Sequence, residues 1–234
     1  MTTYGHGTVT CALCKTTGKQ PSLTSTNSFG SRDLDLRPPE MMRSTMPVWL
    51  QECPNCGFVA ANLAEAEAGV QEIVSTERFM SLNRGALSGT LTSRFLKRSL
   101  LDEELGKISE AAEHALWAAW AADDAHDESA AEYRSKAADL FLVAAADLPS
   151  DSDVSRTMRT RVVDVLRRAR RFDEAVALAD VLLATDDLDP TIRCVLEYER
   201  DLAQSGEHAV RTVEHALMPK RPNALMAEDP NPFE

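Results

Sequence analysis

The sequence predicts a mostly α-helical protein that begins with a small zinc-ribbon module built of β-strands. Four cysteines form two closely spaced pairs, Cys11 with Cys14 and Cys53 with Cys56. After Ala60 the apolar residues recur every three or four positions, which is the period of an amphipathic helix. We therefore predict a ribbon module with a long charged spacer at residues 1–60, an all-α domain of helical hairpins at 61–218, and a loose proline-rich tail at 219–234.

The cysteine spacing favours a structural metal site. Two residues between the cysteines of a pair allow a tight turn, here called a knuckle, to direct both sulfur atoms at one point. Two knuckles supply the four thiolates of a tetrahedral zinc site, with Cys11, Cys14, Cys53 and Cys56 as ligands and no position left open for a substrate. Gly57 strengthens the second knuckle, because glycine tolerates the positive φ that such turns use.

Three other interpretations of the cysteines remain open. A Cys-x-x-Cys pair can be a thioredoxin-like redox motif, although that motif belongs beside a βαβ pattern and here there are two pairs. Iron in a rubredoxin-like site takes the same four sulfur ligands as zinc. Two disulfides would require an oxidising compartment, whereas residues 1–10 have neither the basic start nor the apolar run of a signal peptide. We therefore expect a metallated site in a reducing cytoplasm.

Length and charge argue against several functional classes. The chain has 234 residues and a formal net charge of −12, which is carried mainly by the residues after position 60. Such a surface repels a phosphate backbone, so we do not expect the helical domain to bind nucleic acid. No stretch approaches the roughly 18 unbroken apolar residues of a membrane span. We expect a soluble protein.

Two short stretches of the ribbon module are predicted to be strands. Residues 8–10 are β-prone and lead into the first cysteine pair. Residues 46–52 form the clearest strand, because Val48 and Leu50 share one face and alternate with Trp49 and Gln51 on the other. This strand would deliver the second cysteine pair to the metal.

The spacer carries the best candidate for a site outside the metal. Residues 32–40 are densely charged and end in two prolines, which forbid a helix there. Asp33 and Asp35 would project to the same side of an extended chain, where Arg37 and Arg43 could pair with them or with a ligand. We favour the interpretation that these charges cap and salt-bridge the loop against the first helices. A small-molecule or catalytic site between the loop and the helices is the alternative.

The order of these motifs resembles an uncharacterised bacterial family. The first cysteine pair, Arg32-Asp33-x-Asp35, a proline and the closing Cys53-Pro54-x-Cys56-Gly57-Phe58 are similar to the family called domain of unknown function 2225. The resemblance covers mainly residues 11–62. It implies a zinc ribbon followed by tetratricopeptide-like helices, with the four cysteines as metal ligands, and it implies no activity. Ala12 and Lys15 depart from the family, which often has proline and glycine there, but neither removes a ligand.

The larger domain is predicted to contain three helical hairpins. One or two short helices within residues 60–81 and a helix at 91–105 precede them. The paired helices are predicted at 105–122 with 137–148, at 158–169 with 172–183, and at 192–203 with 207–217. The step Phe172-Asp173-Glu174-Ala175 and the closing Pro190 resemble a tetratricopeptide repeat. At least one of Trp117 and Trp120 is expected to pack in the core.

The sequence contains no catalytic signature. It has no Gly-rich phosphate loop, no nucleophile elbow and no dinucleotide fingerprint. We expect Cys194 to be a small buried residue and the histidines of the helices to be solvated. The expected function is binding of an unidentified protein partner through the concave helical surface, without catalysis. The competing hypotheses are the ligand site at the spacer and thiol-based sensing, in which oxidation would eject the metal.

Overall fold

The structure, a computed structural model, describes residues 1–149 and 152–218. It is mostly helical, and its small β module lies at the N-terminus, as the sequence predicts. The predicted tail at 219–234 lies outside the described residues.

The ribbon module consists of two antiparallel hairpins, each of which carries one cysteine pair in its turn. Its strands are β1 Thr3–Thr10, β2 Thr17–Ser25, β3 Gln51–Glu52 and β4 Val59–Ala60. In the first hairpin Thr10 lies opposite Thr17, and in the second Glu52 lies opposite Val59. The turn between β1 and β2 therefore holds the first knuckle, and the turn between β3 and β4 holds the second.

The prediction of a strand at residues 46–52 is wrong for most of its length. A 3₁₀ helix occupies Arg43–Val48, and only Gln51–Glu52 is a strand. The Trp49 Nε1–H donates to Thr45 Oγ1 at 2.7 Å, one helical turn away, and Thr45 Oγ1 donates to the Met42 carbonyl. These side-chain bonds favour a helical turn over the alternating pattern, and Pro47 has no N–H to give to a sheet.

From Val70 onwards the described chain is mainly helical. The helices are α1 Val70–Val74, α2 Glu77–Ser81, α3 Leu91–Glu104, α4 Ile108–Asp124, α5 Ala130–Ala146, α6 Asp153–Arg168, α7 Phe172–Leu183, α8 Pro190–Gln204 and α9 Val213–Leu217. From α3 onwards each helix packs on the next, and α6 also packs on α8. The alanine stripe of α4 is buried, and α3 and α5 approach it closely. This stack contains the predicted hairpins α4/α5 and α6/α7.

The second helix of the third hairpin is shorter than predicted. Helix α9 begins at Val213 instead of at residue 207. Arg167 Nη1 donates to the carbonyls of Glu207 and Ala209, and Leu34 N donates to the Arg211 carbonyl at 2.9 Å. The carbonyls that a helix would use internally are therefore engaged by α6 and by the spacer, which holds residues 207–212 out of helix.

The ribbon module and the helices share buried side chains. Phe58 and Leu63, next to the second knuckle, pack in one apolar cluster with Leu100 and Leu101 of α3. An ion pair joins Glu52 of β3 to Lys97 of α3, whose side chain is fully buried. These contacts give the knuckles a rigid support on α3.

We find no helix in the described part of the chain that combines the length and the apolar character needed to cross a membrane.

Candidate metal centre

The two knuckles have the same backbone hydrogen-bond pattern. In the first, Cys11 N donates to the Thr16 carbonyl at 2.9 Å and Lys15 N donates to the Cys11 carbonyl at 3.0 Å. In the second, Cys53 N donates to the Phe58 carbonyl at 2.9 Å and Gly57 N donates to the Cys53 carbonyl at 3.0 Å. The chain thus builds one turn twice, and each copy presents two sulfur atoms.

The four predicted ligands come together at one point. The sulfur atoms of Cys11, Cys14, Cys53 and Cys56 all lie within 4.8 Å of one another. Across the knuckles, Cys11 Sγ is 3.8 Å from Cys56 Sγ and Cys14 Sγ is 3.5 Å from Cys53 Sγ. A tetrahedral site with Zn–S bonds of about 2.3 Å has sulfur atoms about 3.8 Å apart. The arrangement therefore fits a four-coordinate metal ion with sulfur ligands.

The surroundings of the thiols differ from one cysteine to the next. Burial raises the pKa of the Cys53 and Cys56 thiols, because a thiolate is poorly solvated there. By contrast, a hydrogen bond with the Thr16 hydroxyl lowers the pKa of Cys14 to about 5. A metal ion bound by all four sulfur atoms would supply the positive charge that the buried thiolates need.

Both knuckles require a residue with positive φ, but they meet the requirement differently. Gly57 has φ 73° in the second knuckle, and Lys15 has φ 61° at the equivalent position of the first. The Lys15 ammonium donates to the Ala12 carbonyl at 2.8 Å, which offsets part of the cost of a left-handed lysine. The departure from glycine at Lys15 therefore keeps the shape of the turn.

Substituting Gly57 tests how strictly the second knuckle needs glycine. We expect Gly57→Ala to destabilise the protein by about 1–2 kcal/mol, because it forces a left-handed alanine into the turn. The added Cβ would also lie only 2.9 Å from Nδ2 of Asn83. Chemical denaturation would measure the loss. The matched control is Gly7→Ala on β1, where a Cβ meets nothing within 4 Å and φ is not positive; an equal loss in both variants would contradict the argument.

The predicted site residues of the spacer are engaged inside the protein. Asp33, Asp35 and Arg37 are buried, and Arg43 is partly buried. Arg43 pairs with Asp33 at 2.8 Å, and Arg37 pairs with Asp124 of α4 at 2.5 Å. All four charges therefore have partners of opposite charge. A ligand site at these four residues stays a prediction.

Asp35 is the centre of a buried polar network that binds the spacer to α4 and α6. Its Oδ2 accepts hydrogen bonds from Arg168 Nη1 at 2.7 Å and from the Trp120 indole at 2.8 Å. Its backbone carbonyl accepts from Arg161 Nε at 2.7 Å. Burial alone would raise the pKa of Asp35, but the guanidinium of Arg168, with that of Arg134 behind it, outweighs burial and lowers the pKa to about 2. Asp35 is therefore ionised in the folded protein.

Sequence reasoning missed the helical half of this network. Arg161 and Arg168 lie seven residues apart and so share one face of α6. The apolar periodicity predicts the helix but not the network. The seven-residue spacing of the two arginines is the signal in the sequence that could have indicated it. Trp120 is buried, as expected for at least one tryptophan.

A second buried cluster of charged side chains lies between α6 and α8, and it consists of Asp164, Arg167 and Glu199. Asp164 and Arg167 form a fully buried ion pair with an N–O distance of 2.5 Å. Glu199 of α8 is fully buried, and neither of its carboxylate oxygens has a hydrogen-bond partner. Burial, with the charge of Asp164, raises the pKa of Glu199 well above its usual value. The fold therefore disfavours the ionised form of Glu199 relative to an exposed glutamate.

Two predictions about single residues are wrong. Cys194 is exposed on α8 instead of buried. His114 is not solvated: its side chain is 14% exposed, and Nδ1 lies 2.7 Å from Oδ2 of the buried Asp102. The other histidines of the helical domain, at positions 126, 208 and 215, are exposed as expected. The residues next to His114 in the sequence do not indicate this contact, because its partner Asp102 lies on another helix.

The fold and the site together define a mostly helical protein with a four-cysteine cluster able to hold a metal ion. Within residues 1–149 and 152–218, no other group of three or more His, Cys, Asp or Glu side chains is close enough to share one. Comparisons of the chain with protein-family models, with curated proteins and with solved structures found no match. The resemblance to the domain of unknown function 2225 stays a prediction.

Proposed function

We propose that the chain is a zinc-binding, non-catalytic protein whose helical surface binds a protein partner. The observation that carries the proposal is the cluster of four sulfur atoms within 4.8 Å of one another. Four protein ligands complete a tetrahedral site, and catalytic zinc sites instead keep one position for water or substrate. The metal then has a structural role, which is to hold the ribbon module together at the end of the helical stack.

The identity of the metal can be tested directly. We propose zinc, because a cluster of cysteine thiolates is typical of structural zinc sites. Iron would take the same four ligands. Protein purified under reducing conditions should be colourless and contain about one zinc ion per chain by elemental analysis. A red protein containing iron would contradict the choice of zinc but not the four-sulfur site.

The position of the spacer affects where a partner could bind. The first helices of the two hairpins, α4 and α6, contact the spacer through Trp120, Arg161 and Arg168. The second helices, α5 and α7, expose Val143 and Val181, whose exposed fractions are 54% and 64%. We therefore propose that the partner contacts α5 and α7 instead of the surface that the spacer covers.

Photo-crosslinking in the native cells tests this surface. A crosslinking amino acid placed at position 143 or 181 of the full chain should give the same discrete adduct from both sites. The control position is Lys19, an exposed residue of β2 in the ribbon module. A protein that carries Val143→Glu together with the crosslinking amino acid at position 181 should lose the adduct, because burying a carboxylate in an apolar contact is costly. Identical adducts from positions 19, 143 and 181 would contradict the proposal.

Thiol-based sensing is a second candidate function. It is favoured by the partial exposure of Cys14 and Cys56, whereas Cys11 and Cys53 are buried. An oxidant could reach these two partly exposed cysteines first, and loss of thiolate ligands would release the metal. Mild peroxide should then release the metal, and a thiol reductant with added metal should restore it. Irreversible aggregation after release would exclude sensing and leave the structural role intact.

A further inference from the structure

All three tryptophans of the chain line one cleft. Trp49, Trp117 and Trp120 contribute to a cleft of about 640 Å³ that lies between the ribbon module, the spacer and the helices. The remaining apolar walls come from Leu23, Leu36, Pro38, Met42 and Val48. Clefts of roughly 300–1,000 Å³ with mainly apolar and aromatic walls are typical of small-molecule sites.

The indole rings are held rigidly. The ring of Trp49 meets the ring of Trp117 edge-on, with centroids 4.8 Å apart, and Trp117 also packs edge-on against Phe95. The Trp49 indole N–H donates to Thr45 Oγ1 at 2.7 Å, and the Trp120 indole N–H donates to Asp35 at 2.8 Å. A rigid aromatic wall loses little conformational entropy when a ligand binds.

Within residues 1–149 and 152–218, the charges at the cleft leave one cation without an acidic partner. Glu113 and Arg161 both line the cleft, but they form an ion pair with each other. Arg32 also lines the cleft and is exposed, and no acidic side chain of the described residues pairs with it. Its guanidinium donates a long hydrogen bond, 3.3 Å, to the Leu36 carbonyl. The charge available to a ligand is therefore positive, although the chain as a whole has a net charge of −12.

The backbone of the spacer is unusual at the same place. Leu36 has φ 65°, a left-handed conformation that is rare for a leucine. The turn is held by Leu36 N donating to the Asp33 carbonyl at 2.9 Å and by the buried Asp35 on its flank. Strained residues of this kind concentrate at ligand sites, where the surrounding structure over-determines them. Here the conformation places Leu36 in the wall of the cleft.

We propose that this cleft binds a small organic carboxylate with an apolar body. The three indoles and the aliphatic side chains accept the body, and the Arg32 guanidinium pairs with the carboxylate. The proposal does not depend on the metal or on a protein partner, because the cleft contains none of the four cysteines and neither Val143 nor Val181.

Three probes with the same ten-carbon chain separate the contribution of charge from that of apolar contact. They are decanoate and decyltrimethylammonium, each used below its micellar concentration, and decan-1-ol, used below its solubility limit. Because every tryptophan of the chain lines the cleft, intrinsic fluorescence reports on it, and calorimetry gives the affinity. We expect saturable binding of decanoate with a blue shift in emission. Decan-1-ol should bind about tenfold more weakly, since it lacks the charge-assisted bond, and the cation more weakly still.

Two variants and a control locate the binding. Arg32→Ala should weaken decanoate about tenfold and leave decan-1-ol unchanged, whereas Val48→Phe should weaken both by narrowing the cleft. Arg84→Ala removes an exposed arginine that does not line the cleft and should change neither. Thermal melts identify any variant that has lost its fold, and Arg32→Lys, which should retain part of the preference for decanoate, replaces Arg32→Ala in that case. Equal affinity for all three probes, no saturable binding of decanoate, or full decanoate affinity in Arg32→Ala would overturn the proposal.

Discussion

Cys53→Ser is expected to abolish metal binding and to unfold the ribbon module. Cys53 is 2% exposed and packs with Phe58 in the apolar cluster that joins the ribbon module to α3. Binding of a structural zinc ion contributes on the order of 10 kcal/mol to small metal domains, which is comparable with the whole stability of a typical domain. Its loss cannot be compensated by a hairpin as exposed as β1 with β2, most of whose residues lie in solvent.

Elemental analysis and backbone hydrogen exchange would measure the effect of Cys53→Ser. The amides of Cys11 and Cys53 donate to the carbonyls that close the two knuckles, and both should lose protection in the variant. The helical signal in circular dichroism should remain, because the larger cluster of buried side chains is mostly built from α3 to α8.

The fifth cysteine provides the matched control. Cys194→Ser changes the same chemical group at an exposed position on α8, far outside the sulfur cluster. It should bind the wild-type amount of metal and show wild-type exchange. Full metal content in Cys53→Ser, or none in freshly purified wild-type protein, would refute the four-sulfur site.

Asp35→Asn is expected to cost about 3–5 kcal/mol at neutral pH. The substitution keeps the shape of the side chain but removes the buried carboxylate that faces Arg168, whose other partner, Asp123, is partly exposed. Removing one side of a buried ion pair is strongly destabilising. Asp35 also anchors the spacer to α4 and α6. Denaturation at pH 7 would measure the loss. Asp153→Asn is the control, because its pair with Arg156 is at the surface and the Asp153 side chain is 94% exposed; exposed pairs contribute about 0–1 kcal/mol.

The contribution of Asp35 should depend on pH in a definite direction. Its pKa falls from 3.8, the value for a free side chain, to about 2 in the folded protein. A carboxylate with a depressed pKa stabilises the fold at every pH above the unfolded value, and that contribution is lost as the pH falls through the folded value. The stability difference between the wild type and Asp35→Asn should therefore be constant above about pH 5 and shrink between about pH 4 and pH 2. A difference that grows with acidity would show that Asp35 is not ionised in the native state.

The metal cluster and the helical class could be predicted because both are encoded locally. Two residues between cysteines define a knuckle whatever the rest of the chain does, and the four sulfur atoms indeed meet. The periodicity after Ala60 likewise predicted the hairpins α4/α5 and α6/α7, although α5 begins at Ala130 instead of at residue 137 and α6 at Asp153 instead of at residue 158.

The two failures have different causes: the first lies in a hydrogen bond between near neighbours, and the second in contacts between distant residues. The pattern at residues 46–52 alternates as a strand does, but Trp49 bonds to Thr45 and the segment turns into a 3₁₀ helix. Residues 207–212 have helical periodicity, yet α6 and the spacer take their carbonyl groups. Local propensity is a weak preference, and specific hydrogen bonds, whether to near or to distant residues, overrule it.

Local spacing was thus sufficient for each cysteine knuckle and for each helical hairpin, since these depend on neighbours along the chain. The role of the charged spacer could be recognised only from the tertiary structure. Asp35 meets Trp120 and Arg168 across long stretches of chain, and Trp49 meets Trp117 and Trp120 of α4 at one cleft. No periodicity or motif encodes such meetings, because they depend on how α4, α6 and the spacer pack together.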